Sequence, residues 1–322
     1  MLKATIIIPN YNGIKYIRTC LDSLAGQLKE SEVLIIDNAS QDGSYQVIQK
    51  EYPWAKCIQL SENTGFCHAV NVGIQSCHTP YFILLNNDTK VFPGFVQALI
   101  KAIERKESIF SVSAKMLMWD KPNIIDDAGD RYCALGWAFS RGKGKATEKY
   151  KHRTEIFAAC GGAAIYRREI LEEIGYFDET HFAYLEDIDI GYRAKIYGYS
   201  NYYEPSAKVL HAGSASSGSR YNAFKTKLAS ANSIYLIGKN MPVLQWVWNF
   251  PLLFFGFVIK WIFFTRKKMG FLYLKGLYNG LKRCCSVEGK RHKVPFQWKH
   301  FSHYITIQLQ LYMNLFRLFV KK

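Results

Sequence analysis

Residues 81–88 read Tyr81-Phe82-Ile83-Leu84-Leu85-Asn86-Asn87-Asp88, five apolar residues closed by two amides and an acid. The run is too short for a helix and lacks polar alternation, so it reads as a strand covered on both faces, the kind found in parallel sheets. The pattern repeats upstream. Val33-Leu34-Ile35-Ile36-Asp37 is a second buried run ending on an acid, and Thr5-Ile6-Ile7-Ile8-Pro9 is a third, followed by Asn10-Tyr11-Asn12-Gly13. Between them, residues 14–28 place Ile14, Ile17, Leu21, Leu24 and Leu28 at helical spacing; residues 43–51 and 66–76 read as further helices and 57–60 as a short strand. This alternation predicts an open, mostly parallel α/β sheet. Such sheets bind ligands beyond the carboxyl ends of their strands, where three polar clusters lie here. No GxGxxG follows the first strand and no GxxxxGK[ST] occurs, which disfavours a dinucleotide dehydrogenase or a P-loop NTPase.

With 322 residues, 49% hydrophobic and 21% charged, the chain has the composition of a molecule with a sizeable core, which excludes disorder and a disulfide-stapled miniprotein. A mean hydropathy of −0.11 excludes a many-span membrane protein. Eight cysteines form no CxxC pair, the pattern of a reduced compartment with small buried thiols. Met1-Leu2-Lys3 runs straight into the first strand, so folding in the cytosol is expected. The net charge of +16 is unevenly placed. Residues 1–220 hold 25 basic and 25 acidic residues, whereas residues 221–322 hold 17 basic residues and one acid, Glu288. Two parts with different partners are expected: a catalytic α/β domain over 1–220 and a helical region over 221–322.

Several strand ends carry chemistry. Asp37 can accept from a base or a ribose hydroxyl, or cap a turn. The Asn86-Asn87-Asp88 triplet suits a hard divalent cation carrying a diphosphate, or equally a chain reversal. Gly161 and Gly162 allow close backbone approach to a ligand. In Glu186-Asp187-Ile188-Asp189 three carboxylates crowd beside aromatic residues, where a raised pKa suits a general base. On a helix Glu186 and Asp189 share a face and Asp187 points elsewhere; the purely structural reading pairs Arg193 back to Asp189. His211, after Val209-Leu210, is either a buried hydrogen-bonded histidine or a metal ligand.

Taken in order, these motifs resemble the inverting family 2 glycosyltransferases of GT-A fold. The resemblance rests on Pro9-Asn10-Tyr11-Asn12-Gly13, Asp37-Asn38-Ala39-Ser40 with Asp42-Gly43-Ser44, Glu62-Asn63-Thr64-Gly65-Phe66, Leu85-Asn86-Asn87-Asp88-Thr89, Gly161-Gly162-Ala163 and Glu186-Asp187-Ile188-Asp189, over roughly residues 3–215. It is nearest to bacterial rhamnosyltransferases of O-antigen and cell-wall polysaccharide synthesis. The resemblance implies that Pro9, Tyr11 and Asp37 line the base and ribose pocket, with Asn63 and Gly65 near the nucleotide. Asn86 and Asn87 would lie beside the donor, Asp88 and His211 would hold Mn²⁺ or Mg²⁺ on the diphosphate, and Asp187 would be the general base. The family's DxD has an amide, Asn86, at its first position here. The donor implied first is dTDP-rhamnose, with UDP-hexoses and UDP-N-acetylhexosamines as alternatives, and the acceptor a glycan on a polyprenyl diphosphate. Residues 116–156, with Asp126, Asp127, Gly129, Asp130 and Arg141-Gly142-Lys143-Gly144-Lys145, are expected to form a less regular, acceptor-facing part.

The tail reads differently. Residues 241–264 contain nine aromatics, and as one helix they would span ~36 Å against a ~30 Å hydrocarbon core. Crossing would export residues 265–322 with 13 of the 17 basic residues, against the positive-inside tendency. Gln245, Asn249 and Pro251 interrupt the run. Helices lying in the interface of an anionic membrane, on its cytoplasmic side, are therefore expected, including 301–322 with Arg317, Lys321 and Lys322 at its end. A homo-oligomer is also compatible with this surface. Nucleic acid is not expected as a partner, because the cations sit among long apolar runs. A catalytically inactive scaffold and a sugar nucleotidyltransferase are the remaining rivals, the latter lacking its Gly-rich, Arg-bearing loop.

Overall fold

Strands β1 (Ala4–Asn10), β2 (Ser31–Asp37), β3 (Lys56–Gln59) and β4 (Tyr81–Leu85) are parallel neighbours in the order β3-β2-β1-β4. The computed structural model of the chain describes residues 1–213 and 221–319; the expected boundary at 220 and the terminal Lys321 and Lys322 lie outside them. Helices α1 (Ile17–Leu24), α2 (Ser44–Glu51) and α3 (Phe66–Gln75) connect the four strands. The β-branched run of β1 shows why the sheet is covered twice. Ile6 and Ile8 enter one core with Ile17 and Leu21 of α1, whereas Ile7 enters the opposite core with Val70 and Ile74 of α3. Helix α1 is shorter than the 14–28 pattern: it starts at Ile17 and ends at Leu24, followed by one tighter turn over Ala25–Gln27.

Beyond β4 the sheet becomes mixed. β5 (Thr89–Val91), α4 (Phe95–Ile103), β6 (Ile109–Met118), β7 (Lys121–Asp127), β8 (Asp130–Cys133), β9 (Trp137–Ser140), β10 (Thr154–Ile156), β11 (Ala163–Arg167), α5 (Arg168–Ile174), α6 (Glu186–Ile196) and β12 (Ser200–His211) follow. β11 runs antiparallel between β4 and β6, β12 lies parallel to β6, and β5 and β7 pair onto β12 and β6. The stretch expected to be less regular, 116–156, is about half strand, with residues 141–153 outside the strands. Its turns carry polar and glycine residues that dilute the strand signal, and β8 and β9 close a separate four-residue ladder.

The C-terminal part is helical: α7 (Ala223–Asn240), α8 (Val243–Arg266), α9 (Gly270–Cys285), α10 (Val287–Arg291) and α11 (Phe301–Phe319). Gln245, Asn249 and Pro251 do not interrupt α8. The two amides, four residues apart, lie on one stripe, and that stripe is buried against α6 and α11. Gln245 accepts from the Tyr192 hydroxyl at 2.8 Å and donates to Gln308 at 3.0 Å, while Asn249 and Gln308 exchange two bonds of 2.8 Å. Outside that stripe α8 is apolar and open, with Leu244 73% and Trp248 67% exposed, and Phe271 of α9 and Phe316 of α11 are exposed as well. Among the described residues, α8 is the one helix long and apolar enough to cross a membrane.

The amide seam gives a stability test. In Gln308→Leu, Asn249 and Gln245 are left with buried unpaired groups, costing about 1–3 kcal/mol. Urea unfolding should register that loss with the helical circular dichroism kept; a variant as stable as the parent would mean that water serves the seam as well as Gln308 does.

Candidate active site

One buried amide ties the strand ends together. Asn10, last in β1, donates to Asp37 Oδ1 at 2.8 Å and to the hydroxyls of Ser40 and Ser44 at 3.2 and 2.9 Å, and its oxygen accepts from Asn87 Nδ2 at 2.7 Å. Asp37 also accepts from Ser40 N at 3.1 Å and Gln59 Nε2 at 3.3 Å. Fully buried, with both oxygens engaged, Asp37 holds the strand ends in place of the expected contact with base or ribose. Pro9 beside it is half-buried and Tyr11 is exposed. Asn63 and Gly65 sit on a loop secured by Asn38, whose amide donates to Asn63 Oδ1 at 3.0 Å and to Gly65 O at 3.1 Å. Gly65 has φ +87°, and a Cβ there would stand 2.5 Å from the Phe182 ring, so no larger residue fits.

In the Asn86-Asn87-Asp88 triplet, the Asn86 backbone and the Asn87 side chain serve as framework. Asn86 N donates to Gly162 O at 2.9 Å, its carbonyl accepts from the Thr89 hydroxyl at 2.7 Å, and Asn87 braces Asn10. Asp88 faces His211, because the β5–β12 ladder places Thr89 opposite His211. Asp88 Oδ1 lies 3.4 Å from His211 Nε2, and His211 Nδ1 lies 2.7 Å from Asp126 Oδ2, whose other oxygen takes Lys143 Nζ at 2.6 Å. Burial opposes charge on His211, yet hydrogen bonds to Asp126 and Asp88 outweigh it and lift the imidazole to about 9. Burial likewise works against ionised Asp126, but His211 and Lys143 hold it down to about 2. With Nδ1 fixed by Asp126, Nε2 is aimed at Asp88. A carboxylate oxygen and a carboxylate-oriented imidazole form a donor pair that fits a divalent cation such as Mn²⁺, the rest of its shell coming from a ligand's oxygens.

Asp187 lies in the first turn of α6. Its Oδ1 accepts from Gly161 N at 3.0 Å, and a Cβ on residue 161 would come within 2.6 Å of that oxygen. Since Gly162 O bonds Asn86 N, the Gly161–Gly162 segment joins Asp187 to the Asp88 turn. Burial pushes Asp187 up to about 7; the Gly161 N–H pulls against this and the Asp127 carboxylate adds to it. Glu186 is buried with Oε2 unpartnered, its carboxyl held well above the usual range by burial and by Asp187. Asp127, Asp130 and Cys160 gather two oxygens and a sulfur within 4.8 Å of one another, and burial lifts Asp127 to about 6.

Asp189 and Arg193 are not turned to a ligand. Arg193 binds Asp189 Oδ2 at 2.9 and 3.1 Å and the carbonyls of Ile174, Gly175 and Tyr176; Asp189 also receives Lys239 Nζ at 2.9 Å and Asn240 Nδ2 at 2.7 Å. Lys239 bonds Asp178 at 2.7 Å as well. In the sequence Lys239 enters only the basic count of residues 221–322, and Asp126 is not singled out as a site residue. A usable signal for Asp126 existed: Ile124-Ile125 before Asp126-Asp127 repeats the apolar run ending on acid seen in β2.

The chain is similar to known proteins in sequence and in fold. The family model described as glycosyl transferase family 2 matches residues 5–175. An N-acetylglucosaminyl-diphospho-decaprenol L-rhamnosyltransferase of Mycobacterium tuberculosis (strain H37Rv) is 28% identical over 216 residues, 58% of this chain and 68% of its own. Among solved structures, GalNAc-T7 with UDP, GalNAc and Mn²⁺ superposes with a TM-score of 0.60 at 17% identity, over 74% of this chain and 48% of that one, about half its length. The mannosyltransferase PcManGT of Pyrobaculum calidifontis, with GDP-Man and Mn²⁺, gives 0.52 at 16% identity over 96% and 84%. At these identities the structural likeness establishes the GT-A-type α/β fold.

The site makes a titration prediction. A carboxyl raised to about 7 is protonated below that pH and an acceptor of protons only above it. Infrared difference spectra should show a protonated-carboxyl band that is half lost near pH 7 and missing in Asp187→Asn; a midpoint near 4 would remove Asp187 as a base tuned for neutral pH.

Proposed function

The chain belongs to glycosyl transferase family 2, and from that premise we propose that it moves L-rhamnose from dTDP-rhamnose onto a hydroxyl of a polyprenyl-diphosphate-linked glycan at the cytoplasmic face of a bacterial membrane. The observation that carries the reaction class is Asp187: a carboxyl tuned to about 7 and joined by Gly161–Gly162 to the Asp88–His211 pair. The name of the mycobacterial relative supports the sugar and the lipid-linked acceptor. UDP-hexoses and UDP-N-acetylhexosamines are the alternative donors.

Asp187 takes the proton of the acceptor hydroxyl as that oxygen attacks the anomeric carbon. The bond from that carbon to the diphosphate breaks on the opposite face, and the nucleoside diphosphate leaves with the electron pair, so the configuration inverts. Asp88 and His211 would hold a divalent cation, which when bound offsets charge on the leaving diphosphate. Asp126 keeps the His211 ring turned for that task. Pro9, Tyr11, Asn63 and Gly65 form the nucleotide edge, with Asp37 acting behind them as their brace.

The apolar faces of α8, α9 and α11 lie in the acyl boundary of an anionic bilayer, and the exposed Lys and Arg side chains meet its headgroups. The buried Lys239 and the half-buried Arg283, which bond Asp178 and Asn232, take no part in that contact.

Nucleotide release from dTDP-rhamnose and UDP-sugars, with Mn²⁺ or EDTA and a prenyl-diphosphate-linked GlcNAc acceptor, tests the chemistry. Asp187→Asn should lose at least ~10²-fold in turnover with dTDP affinity kept; near-normal turnover sinks the base assignment, and release from a UDP-sugar alone replaces the donor. Sedimentation with phosphatidylglycerol vesicles tests the surface. Binding that weakens as salt rises is expected, and absence of binding at low salt would point to the apolar face being covered by a second copy.

A further inference from the structure

We propose that Asn232 and Arg283, two residues of the C-terminal helices beyond the matched family region, are positioning residues that set the catalytic base. The inference rests on the role given above to Asp187. The chain enters α6 through residues 181–185, a segment that three non-glycine residues pass with positive φ: Phe182 (60°), Tyr184 (70°) and Leu185 (70°). Side chains with a Cβ rarely hold such angles unless the surroundings impose them. Glu186 and Asp187 follow at once, so the angle at which the base enters the site is decided in this segment.

The imposing group is one amide. Asn232 of α7 is fully buried and its Nδ2 donates to the carbonyls of His181 at 2.9 Å, Ala183 at 2.9 Å and Tyr184 at 2.8 Å. Three carbonyls of a strained turn thus converge on a single side-chain amide, and the His181 carbonyl also accepts from Ala183 N at 2.7 Å inside the turn. Which end of an amide faces which neighbour is normally open to exchange. Here it is fixed, because Arg283 of α9 donates to Asn232 Oδ1 at 2.6 Å and leaves only the NH₂ group to face the loop. The same helix α7 grips both flanks of the segment, through Lys239 on Asp178 before it and Lys239 with Asn240 on Asp189 after it. On its far side the loop reaches the nucleotide edge, where Phe182 O accepts from Cys67 N at 3.2 Å. Arg283 to Asn232 to the 181–185 loop is therefore a continuous path from α9, whose outer face carries the exposed Phe271, Leu274 and Tyr278, to the base.

Two variants separate this role from simple packing. Asn232→Asp keeps the shape and the bond to Arg283 but turns a carboxylate oxygen toward three carbonyls; Asn232→Ala removes all four bonds. A misplacement of about 1 Å can cost ~10²-fold in rate, so kcat should fall at least tenfold in both variants, with dTDP affinity by calorimetry within threefold of the parent. Arg283→Met should behave likewise, and Arg283→Lys, which restores a cationic donor, should recover most of the loss. Normal kcat in folded Asn232→Asp overturns the proposal, as does a loss of kcat accompanied by equal loss of dTDP binding. Hydrogen exchange of the full-length protein gives a readout that does not need turnover. Peptides covering 178–189 should exchange faster in Asn232→Asp than in the parent while β1 and β4 stay protected; unchanged exchange there rejects the positioning role even where no acceptor is turned over. A parent protein that shows the exchange effect but releases no nucleotide from any donor would instead discard the reaction proposed for Asp187.

Discussion

Much of this molecule depends on one buried cluster of charge. Asp189 is inaccessible to solvent and is met by Arg193, Lys239 and Asn240; Asp178 shares Lys239. Unpaired, any of these charges would be expensive at that depth, so the cluster persists only if all its contributors arrive together. They come from three parts of the chain: the segment after α5, the first turns of α6, and the last turn of α7. Burying the cluster therefore fixes α7 against α6 and the segment after α5, and holds α6 at Asp189, two residues past Asp187.

The cluster also sorts the acids. Asp187 and Asp189 are neighbours but one, and burial raises both. Asp189 is then pulled well below the ordinary carboxylate range by Arg193 and Lys239, whereas Asp187 meets only a backbone N–H and the Asp127 carboxylate and stays near 7. Two carboxyls on one helical turn are thus driven apart in proton affinity by what each faces. The cations of this neighbourhood are consumed by the residue that holds the helix, which leaves the other free to exchange a proton.

This explains what could be read in the sequence and what could not. The strands β1, β2 and β4 were legible because their signal is local: continuous apolar runs closed by polar residues. The Asp88–His211 pair was legible through motif order. Asp126, Asn232 and Lys239 were not, because their meaning lies in partners 85, 51 and 50 residues away. Composition misled in the same way. Lys239 and Arg283 belong to a basic, aromatic tail, yet both are spent inside the fold. Gln245 and Asn249 look like interruptions in an apolar run until their i, i+4 spacing is matched with Gln308. Asp37, at the end of a strand, has the position of a ligand contact and the bonding of a brace.

The two halves of the chain are consequently one mechanical object. The sheet's carboxyl ends carry the proposed nucleotide edge and the Asp88–His211 pair, whereas the segment that leads into Asp187 is held by helices whose outer surface is apolar. α7 is the hinge of that arrangement: one side carries Asn232, Lys239 and Asn240 into the catalytic segment, and the other packs along α9 so closely that a Cβ on Gly276 would come within 2.6 Å of the Lys227 carbonyl. Such an interface has little room to slide, since close-packed interiors transmit displacement more readily than they absorb it. α9 is thereby joined, through Arg283 and Asn232, to the segment that leads into Asp187. Asp187, the proposed base, and the helices that hold its segment both lie beyond residues 5–175, the stretch that the family model matches.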